Sequence, residues 1–342
     1  MSKLSWRHLR DSQLFWPLVA LALIMLFNLI FVPGFFTLEI KDGHLFGSLI
    51  DVVNRGAPLM LLAIGMTMVI ATAGVDLSVG AVMAISAGAA AVLINPALGR
   101  QLIGSEKLIE NVTATPLWVV ILVALVVSTL CGIWNGLLVS RANIQPMVAT
   151  LVLMVAGRGI YYSPYFFVGN GYLLGLPFTL FIVAGVYLFA WLMTRRTAIG
   201  LFVESVGINA SSSFFSGINE KNIKLIAYTF CGFCAGIAGL IVSSNVKSAD
   251  ANNIGLFSEL DAILAVVIGG TLMSGGRFSL LASVVGALII QATTTTMYAL
   301  GVPAMAASAI KALVVLIVIL LYSEQFKNVL GRVIERKGVQ PS

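Results

Sequence analysis

Leu62-Ala63-Ile64-Gly65-Met66-Thr67-Met68-Val69-Ile70-Ala71-Thr72-Ala73-Gly74-Val75-Asp76-Leu77-Ser78-Val79-Gly80 is the stretch on which the fold turns. It closes one apolar run, near 49–73, and opens another, near 79–95, with a single carboxylate between them. The apolar residues do not alternate and run past the length of a strand, so they read as helices. Runs of about 20 such residues are what a hydrocarbon core about 30 Å thick requires.

The rest of the 342-residue chain repeats that pattern. Hydrophobic residues make up 59% and charged residues only 10%, against about 25% charged in an ordinary soluble domain. Too few polar side chains remain to cover a water-facing surface. With lipid as solvent, the backbone must satisfy its own hydrogen bonds, which leaves helix bundles or closed barrels. The long unalternated runs select helices, and the fold class read here is an all-α polytopic membrane protein.

Ten spans are expected, near 14–33, 49–73, 79–95, 116–139, 146–162, 177–194, 222–243, 259–275, 279–299 and 305–323. The third and eighth are short and glycine-rich, which points to broken helices or incomplete crossings. The first run follows Lys3, Arg7 and Arg10 and ends at Pro33-Gly34-Phe35-Phe36. It exceeds the core of a signal peptide and has no small-residue cleavage site, so it reads as a retained span. No loop is large enough for a soluble domain, so residues 1–342 read as a single transmembrane domain.

With the N-terminus placed inside, the inner segments hold Lys3, Arg7, Arg10, Arg141, Arg195, Arg196, Lys221, Lys224, Arg277, Lys327, Arg332, Arg336 and Lys337. The outer segments hold Lys41, Arg100, Lys107 and Lys247, and thirteen against four is a positive-inside bias. Both termini are expected on the cytoplasmic side. Trp16, Trp118, Trp191 and Tyr322 fall near span ends, at headgroup level, while Trp134 lies mid-span. The net charge of +6 is scattered between spans, which argues against a nucleic-acid partner. Spans two to five start outside and spans seven to ten inside, an arrangement compatible with an inverted pair of four-helix units.

Small residues recur at helical spacing in Gly80, Ala84 and Gly88, in Gly132 and Gly136, and in Gly232 and Gly236. They let backbones approach where no hydrophobic effect drives association. Cys131, Cys231 and Cys234 sit in apolar stretches and read as helix packing. Asp76 has two readings: an N-cap for the third span, or a pathway or coupling group inside the membrane. Thr72, Asn135, Gln145, Thr271, Ser274 and Gln291 are uncharged hydrogen-bonders within or beside spans. They suit a neutral polyhydroxylated solute, or interhelical bonding. Arg158 and Lys311, near span ends, are expected to snorkel.

The run Gly269-Gly270-Thr271-Leu272-Met273-Ser274-Gly275-Gly276-Arg277 breaks span eight and lacks the lysine and spacing of a nucleotide loop. If transport uses ATP, another subunit must hydrolyse it. The inner loop at 195–221 is the longest. It begins Arg195-Arg196-Thr197-Ala198-Ile199-Gly200, continues Glu204-Ser205-Val206-Gly207-Ile208-Asn209 and closes at Ser216-Gly217-Ile218-Asn219. Its composition fits a short helix at the membrane surface, offered to a cytoplasmic partner, or an amphipathic connector.

At this loop the chain resembles the permease subunits of ATP-binding-cassette importers for monosaccharides, of the ribose and galactofuranose type. Four blocks carry the likeness, and together they span most of residues 50 to 320. They are Leu62 to Gly80; Trp134-Asn135-Gly136 with Gln145-Pro146 and Ala149-Thr150-Leu151; Gly200 with Glu204 to Gly217; and Glu259-Leu260-Asp261-Ala262 to Gly276-Arg277. Residues Ala249 to Leu256 look most like the galactofuranose branch. The resemblance implies a ten-helix, type II-like importer permease in a bacterial inner membrane, without a cofactor of its own. It also implies a second permease chain, two ATP-binding subunits and a periplasmic sugar-binding protein. Gly200, Glu204, Gly207, Asn209 and Gly217 would then belong to the element that docks on the ATPase. Ser212 and Ser213, followed by Phe214 and Phe215, depart from an alanine pair common in the family.

Two rivals stand beside this reading. An ion-gradient-driven transporter would use Asp76 as its coupling carboxylate. An intramembrane enzyme would need HExxH, GxSxG or a similar set, which the chain lacks, and its histidines, His8 and His44, lie outside the spans.

Overall fold

The computed structural model describes residues 12–41, 43–94, 115–156, 160–161, 167–246, 249–250 and 253–303, together with 306, 309–313 and 316. Helices α1 (Phe15–Phe31), α2 (Ser48–Ala71), α3 (Val79–Ile94), α4 (Leu117–Ser140) and α5 (Pro146–Ala156) come first. After α6 (Phe167–Asn170) and α7 (Phe178–Arg195), the inner loop folds as α8 (Ile199–Ile208) and α9 (Ala210–Phe215). Then come α10 (Glu220–Val246), α11 (Ser258–Ile268) and α12 (Leu280–Ala299). Short antiparallel pairs trim the connections: Glu39–Lys41 with His44–Phe46, Ile160–Tyr161 with Ala249–Asp250, and Tyr172–Leu173 with Leu176–Pro177.

Among the described residues, five helices, α2, α4, α7, α10 and α12, are long and apolar enough to cross a membrane. The core lies where α10 packs on α4, α2 and α3. From Met60 to Ala71 every residue of α2 is buried, so this part of the helix is wrapped by others on all sides. Helices α10 and α4 cross at paired glycines. A Cβ on Gly132 would stand 2.6 Å from the Tyr228 carbonyl oxygen, and one on Gly232 would stand 2.7 Å from Gly132 Cα. At the α2–α10 crossing, Gly65 faces Cys231 and Cys234, so the CxxC pair serves as packing surface. Gly232→Leu is expected to cost about 3 kcal/mol or more, because backbone cannot yield as a side chain can. A loss of monodisperse protein on detergent chromatography would register it; wild-type behaviour would contradict the crossing.

A two-fold pairing, of the kind an inverted pair would give, is visible in which helices touch. Helix α3 packs on α4 and α10, and α11 packs on α12 and α2; α10 packs on α4, and α2 on α12. Exchanging α2 with α10, α3 with α11 and α4 with α12 maps this pattern onto itself.

Several expectations need adjustment. Span eight, expected over 259–275, is helical only to Ile268, about 17 Å at 1.5 Å per residue. Gly270 and Gly276, at φ of 80° and 96°, turn the chain out of the helix before α12. Span three has 16 helical residues, about 24 Å. The inner loop carries two short helices, not one. Lys311 does not snorkel but binds Asp261 of α11. Arg158, both termini and most of the tenth span lie outside the described residues.

Candidate functional site

Between α2 and α3 the chain is irregular from Thr72 to Ser78. Irregular backbone at membrane depth is tolerated only where protein satisfies its polar groups, and here each neighbour supplies one. The Asp76 carboxylate (Oδ1) accepts from the Ser78 N–H at 2.9 Å and from the Ser78 hydroxyl at 2.6 Å. Asn135 of α4 donates through Nδ2 to Ser78 Oγ at 2.7 Å. Thr150 of α5 accepts from the Leu77 N–H at 3.1 Å, and the Tyr228 hydroxyl of α10 donates to the Val75 carbonyl at 3.2 Å. Asp76, Ser78, Asn135, Thr150 and Tyr228 are all buried.

This geometry makes Asp76 the anchor of an i→i+2 turn that leads into α3, whose first intrahelical acceptor is the Ser78 carbonyl, bonded to the Val82 N–H at 2.8 Å. At 1% exposed it offers no face to a solute. Asp76→Asn keeps the Oδ1 acceptor and is expected to leave thermal stability nearly unchanged, whereas Asp76→Ala should lower it by about 1–3 kcal/mol, the worth of the two buried hydrogen bonds to Ser78. Melting curves of the purified variants check this, and equal losses in both would contradict the turn-anchoring role.

The other expected pathway residues do not form one constellation. Thr72 is buried and returns its hydroxyl to the Val69 carbonyl. Thr72 and exposed Gln145 share a cavity of about 270 Å³ with Asn143, Lys224 and Tyr228. Thr271 is buried and Ser274 exposed in the α11–α12 connection. Gln291 is half-buried, its stem against Gly56 and its amide 3.4 Å from Thr295 Oγ1. Ser78 and Thr150 entered the sequence reading only as members of quoted stretches, and Tyr228 was not singled out. The signal for Tyr228 was a phenol two turns inside an apolar run, where its hydroxyl needs a partner.

At the α8–α9 end, the five expected coupling residues divide. Gly200 and Gly207 are buried and face inward: a Cβ on Gly200 would overlap the Thr194 carbonyl, and one on Gly207 would overlap the Ala71 carbonyl and the Gly276 nitrogen. Glu204 is half-buried. Asn209 is exposed and caps α9, accepting from the Ser212 N–H at 2.9 Å. Gly217 is exposed, with φ 84° and open space around it. The outward surface consists instead of Leu201, Ile208, Phe214 and Phe215, the last 87% exposed, and Leu272 and Met273 are exposed in the α11–α12 connection. Beneath it, the Gly276 N–H donates to the Ala71 carbonyl at 2.9 Å, joining the end of α2 to the α11–α12 connection under α8.

The family described as branched-chain amino acid transport system / permease component matches residues 48–322. The galactofuranose transporter permease protein of Escherichia coli is 45% identical over 338 residues, covering 94% of each chain. A fructose import permease protein of Bifidobacterium longum is 35% identical, covering 98% of this chain and 94% of its own. A ribose import permease protein of Haemophilus influenzae is 32% identical, with 92% and 93% covered. No solved structure matches.

Proposed function

The chain belongs to the family of transport-system permease components, and on that premise we propose that it forms the membrane passage of an ATP-driven importer for a furanose or pentose-type sugar. The relatives named for galactofuranose, fructose and ribose import are similar along nearly the whole chain, which supports a sugar as cargo. It is a transport subunit, not an enzyme, and a multi-pass protein of the inner membrane. Both termini are placed in the cytoplasm, the 195–221 loop is the coupling element of a single transmembrane domain, and the chain carries no cofactor of its own.

One observation carries the energetic half of the reading. Phe214 and Phe215 stand exposed on a loop that is braced from behind by the end of α2. Apolar surface of that kind at the water side marks a protein–protein contact. The partner is an ATP-binding subunit that pushes α8 and α9 against α2. An external sugar-binding protein and a second permease chain complete the assembly. Thr72, Gln145, Thr271, Ser274 and Gln291 are proposed to meet the sugar or its water along the route, while Asp76 and Asn135 shape its wall. The gradient-driven rival is not supported: the relatives are named as transporter or import permeases, and the turn that Asp76 closes on Ser78 accounts for its burial.

Purification in mild detergent with companions retained, followed by reconstitution, tests the proposal. Uptake should require ATP and the companion subunits. Sugar accumulation by the permease alone under an ion gradient would overturn it.

A further inference from the structure

Asp261 and Lys311 form an ion pair that the permease reading leaves unused. Lys311 Nζ lies 2.7 Å from Asp261 Oδ2 and 3.1 Å from Oδ1. Its depth follows from α11 lying antiparallel along α12. Ala265 sits against Gly286, with Ala265 Cα 3.2 Å from where a Gly286 Cβ would be, and Gly269 sits against Ser283. One turn back from Ala265, Asp261 is level with Ile289 and Ile290. Those residues are the middle of the 20-residue α12, whose length of about 30 Å matches the hydrocarbon core.

The pair is therefore at mid-membrane, yet its side chains are 22% and 24% exposed. Hydrocarbon cannot solvate that flank, and ionisable groups at this depth face a bundle interior or a water-filled cavity. We infer that Asp261 and Lys311 line the aqueous passage at mid-membrane and contact the sugar as it crosses. The inference rests on the permease reading and gives that passage a specific contact point.

The chemistry suits a neutral polyol. The pair carries no net charge, so it neither repels nor traps the cargo electrostatically. The ammonium has three N–H donors and directs two at the carboxylate, leaving one for a sugar hydroxyl. The carboxylate retains lone pairs for the hydroxyls of a vicinal diol. Weak, two-sided hydrogen bonding discriminates epimers without delaying release.

Two measurements on the assembled complex in proteoliposomes test this. In a Cys131→Ala background, Asp261→Asn with Lys311→Cys leaves no unpaired charge and places a thiol on the proposed wall. Methanethiosulfonate ethylammonium, a charged reagent that needs water at its target, is expected to modify it; absence of modification overturns the inference. Separately, Asp261→Asn with Lys311→Gln keeps a neutral hydrogen-bonding pair. With the binding protein saturated, the uptake ratios of ribose to arabinose and of galactose to glucose are expected to shift by about tenfold in at least one pair, the worth of one hydrogen bond to a charged group. ATP turnover should be unchanged. A pair that merely latches the tenth span to α11 would change both sugars in parallel, and an unchanged ratio overturns the contact. If the unmodified complex transports no sugar, the permease reading fails instead, and the thiol result still decides whether the pair meets water.

Discussion

Membranes carrying the permease with Phe214→Asp and Phe215→Asp are expected to lose ATP-driven sugar uptake to background while the permease itself stays folded. Phe215 is 87% and Phe214 65% exposed, and their rings contact each other edge to face, 6.0 Å between centroids. Neither ring belongs to the helical core, so replacing them removes no packing between spans. In a complex the same rings would be the aromatic anchors, and anchors of that type each carry about 2–4 kcal/mol of binding. Two lost anchors correspond to a drop in affinity of about a thousandfold or more. Aspartate adds a desolvation penalty to the lost contact. The ATP-binding subunit should no longer co-purify, and the detergent-solubilised permease should elute as before. Glu204→Lys should act more weakly, because Glu204 is half-buried while the rings stand exposed. Retained co-purification with normal uptake would mean that the motor grips elsewhere.

The fold was legible wherever information is local. An apolar run declares its own helix in lipid, so the described helices fall where nine of the ten spans were expected. What stayed hidden was set by contacts between distant residues. Span eight overran in the sequence reading because Leu272 and Met273 continue the apolar pattern past Gly269 and Gly270. The helix stops there because Gly270, at φ 80°, turns the chain, while Gly269 packs against the backbone of Ala282 and Ser283 on distant α12. Asp76 was ambiguous because capping and ion coupling call for the same carboxylate beside glycines. Its role follows from Asn135, Thr150 and Tyr228, which reach residues 75–78 across separations of 57, 73 and 153 residues. Lys311 looked like a snorkelling lysine because Asp261 is 50 residues away. The Phe214–Phe215 doublet was plain in the sequence but read as part of a departure from family pattern; its exposure is what makes it the proposed docking surface.

Gly207→Ala should give the opposite phenotype: a complex that assembles but wastes ATP. Gly207 is not on the outward surface; its α-carbon faces the Ala71 carbonyl and the Gly276 nitrogen. A single methyl there overlaps both and cannot coexist with the 2.9 Å bond from the Gly276 N–H to the Ala71 carbonyl. Either α8 lifts from the end of α2 or that bond breaks, and each route loosens the joint between the loop and α2. The docking rings, on α9, keep their geometry. Forced displacement of this size costs about 1–3 kcal/mol, and a coupling energy lowered by that amount weakens communication between two sites by about 5- to 150-fold. Sugar carried per ATP hydrolysed should therefore fall by about tenfold while the ATP-binding subunit still co-purifies. A bulkier Gly207→Trp would not separate the two effects, since it would also disturb the packing of α2. If Gly207→Ala instead lowered subunit binding and uptake in proportion, the joint would be part of the docking surface. Packed elements transmit a push only when they remain in contact, and at this loop that contact depends on a residue with no side chain.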